Sequence, residues 1–187
     1  MLVLSKEERD RVRSLRACGA LRDIDTGENG ISKTAIVACP DGHQFSELYG
    51  KHINLCGGPH HHDVMHHPIA LNGGGLLLKQ DSPILRNSDG TYAPDGEVLL
   101  RHLGMTVELK QPEAIILYGH IPCGMARRCD LTIDEQVGLL MAGKARVLEF
   151  AKQYGITDVR AWMHVAYGNN HRRTYHVHRK TCEQILD

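Results

Sequence analysis

The sequence predicts an α/β protein: a mainly parallel sheet flanked by helices, with an antiparallel hairpin possible at the C-terminal end. Three observations carry this. The run Ala114-Ile115-Ile116-Leu117 is apolar throughout and leads into Gly119, the pattern of a strand buried on both faces. Thr132-Ile133-Asp134-Glu135 forms a capping box, and Ile133, Val137, Leu140, Met141, Val147, Leu148 and Ala151 follow on one helical face. Strand and helix patterns then alternate along the chain, as parallel βαβ construction requires.

The bounds set by composition agree. A chain of 187 residues with 42% hydrophobic residues supports one domain, taken as 1–187, with a sizeable core. The balance of 22 Lys+Arg against 22 Asp+Glu gives no general attraction to nucleic acid or membranes. No segment approaches the roughly 20 apolar residues of a membrane span. Met1-Leu2-Val3-Leu4 turns charged at once and lacks a signal peptide's apolar stretch, which points to the cytoplasm. Six cysteines there are expected reduced, as metal ligands or buried thiols.

Taken in order, Ser5-Lys6-Glu7-Glu8 caps a first helix over about 6–18, and Gly19 stops it; with its flanks (5–19) it forms an N-terminal arm. Its arginines, Arg9, Arg11, Arg13 and Arg16, form a solvated face or a dimer contact. Residues 22–33 are polar and predict a loop. Thr34 to Cys39 is a β-branched strand ended by Pro40-Asp41-Gly42. A short helix over His43–Tyr49 and a brief strand over Ile53–Cys56 are expected next.

His60–His67 contains five histidines in eight residues. It predicts a polar loop or helix start, with an auxiliary metal site as the alternative. Gly73-Gly74-Gly75 and 87–94 are loops, and Leu76-Leu77-Leu78 is too short to type. Asp95 caps a helix that ends at Gly104 or near Lys110, before Pro112. After the strand to Leu117 and the long helix, 158–166 is a strand. Gly168-Asn169-Asn170 is turn chemistry, and 172–178 is its hairpin partner.

The chemistry gathers at two strand ends. Tyr118-Gly119-His120-Ile121-Pro122-Cys123-Gly124 places an imidazole and a thiol two residues apart, in a turn that the bracketing glycines make easy. Cys39-Pro40-Asp41 adds a thiol and a carboxylate. Ligands in open α/β sheets sit beyond the carboxyl ends of strands. Three of these four groups suffice for a tetrahedral zinc site with an open position. Singly, each residue is as well explained by burial; together they point to zinc. Cys18, Cys56, Cys129 and Cys182 are expected to be core or surface thiols, Cys56 being the nearest substitute ligand.

Cys-x-Asp after one strand and His-x-x-Cys-Gly after a later one resemble the β-class carbonic anhydrases. Element order extends the likeness over about 5–166. The resemblance implies Cys39, His120 and Cys123 as zinc ligands, Asp41 as the catalytic aspartate, and at least a homodimer joined through the N-terminal arm. It implies reversible hydration of carbon dioxide to bicarbonate, with carbon disulfide or carbonyl sulfide as other substrates of such a fold. Two features depart from it. His43 stands where that family has arginine, a bidentate partner that keeps the aspartate off the metal. With His43 there, Asp41 is free to become a fourth zinc ligand. The arginine- and asparagine-containing segment after the family's second strand has no clear match, with Asn54–Gly58 near its place.

Three function classes follow: a carbonic-anhydrase-like lyase, a non-catalytic zinc protein closed by Asp41, and nucleic-acid binding through the basic stretch 172–180. The last is disfavoured by the balanced charge.

Overall fold

The computed structural model describes residues 3–24, 31–42, 44–57, 65–169 and 171–178. In chain order come α1 (Lys6–Ala17), β1 (Leu21–Asp23), β2 (Lys33–Ala38), α2 (Phe45–Gly57) and β3 (Met65–Ala70). Two 3-10 turns follow, at Gly74–Leu78 and Pro83–Leu85, and then α3 (Asp95–Lys110) and β4 (Ala114–Ile121). The chain continues with a short α4 (Gly124–Arg128), α5 (Ile133–Lys152), β5 (Val159–Gly168) and β6 (His171–Val177).

The six strands form one sheet in the order β1-β6-β5-β4-β2-β3. β3, β2, β4 and β5 are parallel neighbours, whereas β6 runs antiparallel to β5 and β1 antiparallel to β6. The sheet is therefore mostly parallel with an antiparallel hairpin at its C-terminal end. All eight residues of β4 are buried, as expected of a strand covered on both faces.

Alternation along the strands splits the core in two. Ile36, Ala38, Ile116, Tyr118 and Trp162 face α2, meeting Leu48 and Cys56. Val37, Ile115, Leu117, Ala161 and Met163 face the other way, against residues of α1, α3 and α5. The result is a helix–sheet–helix sandwich. From β2 the chain passes outward to β3, then returns across β2 to reach β4. The strand order thus reverses between β2 and β4, which makes the crevice at their carboxyl ends a topological switch point, the usual place for ligands in such sheets.

Both capping boxes form. Ser5 and Glu8 close the start of α1, and Thr132 and Glu135 that of α5. α1 buries Val12 and Leu15 against its own chain, and Arg11 pairs with Asp134 at 2.7 Å. α3 runs past Gly104 to Lys110. Asp95 is its first residue rather than its cap; Pro94 holds that place without a side-chain bond. No helix among the described residues is long and apolar enough to cross a membrane.

Three expectations are corrected. Ile53–Cys56 is not a strand but the last turns of α2, because Leu48, His52 and Cys56 recur every four residues and are buried on one face. Residues 21–23, at the edge of the expected loop, form β1 by pairing with β6. Met65–Ala70 is a strand, so His66 and His67 belong to neither loop nor helix start; parallel pairing with β2 holds them. His60–His62 lie outside the described residues, as do His43 and, from the basic stretch 172–180, Arg179 and Lys180.

Candidate metal centre

The site lies at the switch point. β2 ends at Ala38, so Cys39 is the first residue past the strand. β4 ends at Ile121, so His120 projects from the strand itself, and Cys123 is the N-cap of α4. The expected tight loop between glycines is thus the end of a strand and the start of a helix. The chain turns at a cis Ile121–Pro122 bond, and neither Gly119 nor Gly124 has a positive φ. Gly119 packs closely: a Cβ there would lie 3.0 Å from Met163 Cε.

Cys39, His120 and Cys123 are 7%, 3% and 1% exposed. The two thiols form a hydrogen-bonded pair in which Cys39 is the anion. Hydrogen bonding from Cys123 holds the Cys39 thiol well below the usual thiol range; His120 and the Gly73 amide lower it further, against the opposing effect of burial. Cys123 is correspondingly pushed up, by its bond to Cys39 and by burial, and keeps the shared proton. A thiolate rather than a thiol is the form that binds metals.

His120 is pinned through one ring nitrogen. Its Nδ1 lies 3.0 Å from the carbonyl oxygen of Pro122, which can only accept. In the neutral ring the proton therefore sits on Nδ1 and the lone pair on Nε2. His120 Nε2 is buried and has no hydrogen-bond partner among the described residues. A ring pinned through one nitrogen with the other left bare is the arrangement of a metal-binding histidine. Gln44, absent from the sequence expectations, completes the support: its Nε2 donates to the same Pro122 oxygen at 2.9 Å and ties the β2 loop to the β4 loop. Its only sequence signal was a lone glutamine immediately before a helix.

His164 occupies the β5 position paired with His120. Its Nδ1 meets Thr174 Oγ1 at 2.9 Å, and its Nε2 is also buried without a partner among the described residues. Burial holds its pKa low, at about 4, so the ring is neutral near pH 7. Asp41 is half-buried in the loop between β2 and α2, where its carbonyl accepts from the Gln44 and Phe45 amides at 3.0 and 2.7 Å.

Cys56 is not a substitute ligand. It lies in the α2 core, and burial pushes its thiol up to about 11. Cys18 is exposed, Cys129 half-buried, and Cys182 lies outside the described residues.

The loop after β3 supplies the remaining wall. Gly73 donates its amide to Cys39 Sγ at 3.4 Å. Gly74, at φ +53°, passes so close that a Cβ would lie 2.5 Å from the Cys39 nitrogen and 2.7 Å from the Ala38 carbonyl carbon. The triple glycine is therefore a close-approach device and not only a loop. The second parallel strand is β3, so the segment after it is Leu71-Asn72-Gly73; Asn54 lies inside α2.

The donor chemistry fits zinc: a thiolate, a second thiol and an imidazole lone pair with nothing to satisfy it. Among the described residues, however, no group of three or more His, Cys, Asp or Glu side chains is arranged to hold a metal ion. Cys39 lies beside both Cys123 and His120. No protein-family model matches this chain, and neither does any curated protein.

Proposed function

We propose that Cys39, His120 and Cys123 hold a zinc ion, and that the chain is a lyase that interconverts carbon dioxide and bicarbonate as β-class carbonic anhydrases do. The observation that carries this is the buried, unpartnered His120 Nε2 beside the Cys39 thiolate. A buried lone pair and a buried anion are each costly unless something cationic satisfies them. A zinc ion at this place replaces the proton between the thiols and answers both.

When bound there, zinc supplies a Lewis acid that lowers the pKa of water from about 15.7 to about 7. The chain's own residues do the rest. Pro122 and Gln44 fix the His120 ring, and the Gly73 amide steadies Cys39. Asp41 accepts a hydrogen bond from the attacking water and so orients it. The segment Leu71-Asn72-Gly73 after β3 has no arginine, so the family's arginine- and asparagine-containing segment has no clear match here. Carbon disulfide and carbonyl sulfide belong to the same substrate class. A homodimer or larger homo-oligomer completes the proposal.

One observation favours a second reading, a non-catalytic zinc protein with Asp41 as the fourth ligand: all three donors are almost wholly buried. His43 stands where the family's restraining arginine would be, and His43→Arg tests its role. Stopped-flow hydration of carbon dioxide separates the readings. The lyase reading expects turnover that Asp41→Asn abolishes and His43→Arg increases. Inactivity in both the wild type and His43→Arg selects the non-catalytic reading. Brisk turnover at pH 7 that Asp41→Asn leaves untouched contradicts the proposed role of Asp41.

A further inference from the structure

Away from the thiols, α1 and the β5–β6 hairpin enclose a groove of about 410 Å³ lined by Arg9, Arg13, Arg16, Arg173, His171 and Tyr167. That is the size of a small-molecule site. Arg9, Arg13 and Arg16 fall three and four residues apart on α1, so one helix face presents all of them. Arg173 comes from β6 opposite.

The guanidinium charges outnumber their carboxylate partners. Arg16 and Arg173 share Asp23, at 3.2 and 3.9 Å. Arg13 pairs only with Asp10, one helical turn back, in a contact whose side chains are 75% and 52% exposed. Such a pair contributes little and releases its arginine easily. Among the described residues, Arg9 donates to backbone oxygens, Leu4 O at 3.1 Å and Ser5 O at 3.4 Å. Among the described residues, four arginines against two carboxylates leave the groove about two charges positive near neutral pH, in a chain whose net charge is zero.

The floor is rigid. Arg16 lies over the Tyr175 ring at 5.1 Å, the Tyr167 and Tyr175 hydroxyls bond at 2.7 Å, and the Tyr167 and His171 rings stack at 5.1 Å and 23°. The arginines are thus presented by fixed elements, which lowers the ordering cost of binding.

We propose that this groove binds a small phosphate-bearing anion with two or more negative charges. Guanidinium forks match phosphate oxygens in bidentate geometry, and the excess positive charge sets the charge of the occupant. The small volume of the groove and the zero net charge favour a small molecule over a nucleic-acid strand, which needs an extended basic track.

Isothermal titration calorimetry on the full chain tests it, with inorganic pyrophosphate and ADP as probes at low and physiological salt. Pyrophosphate should bind, and Arg13→Gln and Arg173→Gln should each weaken it about tenfold or more. Arg101→Gln, on α3 outside the groove, should change nothing. Circular dichroism confirms that the variants fold, and Arg13 is exposed enough that its variant does. Tighter binding of ADP than of pyrophosphate shows that the ligand's ring also contacts the groove and supports the site. Absence of heat with both probes at millimolar concentration overturns the proposal. So does equal weakening in Arg101→Gln, or tighter binding of a single-stranded oligonucleotide through the same arginines.

Discussion

The amide of Gly73 donates to the sulfur of Cys39 at 3.4 Å, joining the loop after β3 to the end of β2. This contact makes the glycines part of the site. The next residue, Gly74, combines φ +53° with a backbone approach that leaves no room for a Cβ.

Gly74→Ala should therefore move the Cys39 backbone, since neither the Cys39 nitrogen nor the Ala38 carbonyl can yield as a flexible side chain would. The expected cost is about 2–3 kcal/mol or more of stability, from strain plus displaced strand backbone. Urea denaturation measures it. An unchanged midpoint would show that the loop is not held against Cys39 as described.

On the α2 face of the sheet, Thr34 Oγ1 bonds His52 Nε2 at 2.9 Å and His66 Nδ1 at 2.6 Å, and His52 Nδ1 meets the Tyr118 hydroxyl at 3.0 Å. Thr34→Val keeps the shape and strands two ring nitrogens. A loss of about 1–3 kcal/mol is expected, the cost of buried groups left unpaired. A change within a few tenths would mean that these bonds contribute nothing net.

These two histidines, together with His176, make stability depend on pH. Burial pushes His52 down to about 3, and His66 and His176 down to about 4, so all three are neutral in the folded chain near pH 7. Once unfolded, they take protons near pH 6.5. Below that value the unfolded state binds more protons, so stability falls as pH falls. The urea midpoint should be level above about pH 7 and drop between about pH 6.5 and 5, where ordinary carboxylates still hold their charge. A midpoint that is constant or rises over that range would contradict the buried neutral assignment.

What the sequence made legible follows local chemistry. The capping boxes at Ser5 and Thr132 declare their helices, and the unbroken apolar run declares β4. Cys39, His120 and Cys123 stood out because ligand chemistry at two strand ends is unusual. Elements made by tertiary pairing did not show. β1 is three residues with no alternation, held by β6. In α2 the short stretch Ile53-Asn54-Leu55-Cys56 suggested a strand, because the buried helical face includes His52, whose place in the core depends on Thr34 and Tyr118. Gln44 was equally hidden: its value comes from reaching the Pro122 carbonyl 78 positions away.

The central claim is the metal. Zinc content per chain, measured by elemental analysis of purified wild type and Cys123→Ser, tests it directly. Cys123 is buried beside Cys39, so loss of its sulfur removes one of the three proposed donors. About one zinc per chain is expected in the wild type, with strong depletion in a folded Cys123→Ser. A wild type free of zinc, or the same zinc content in both proteins, would contradict the account.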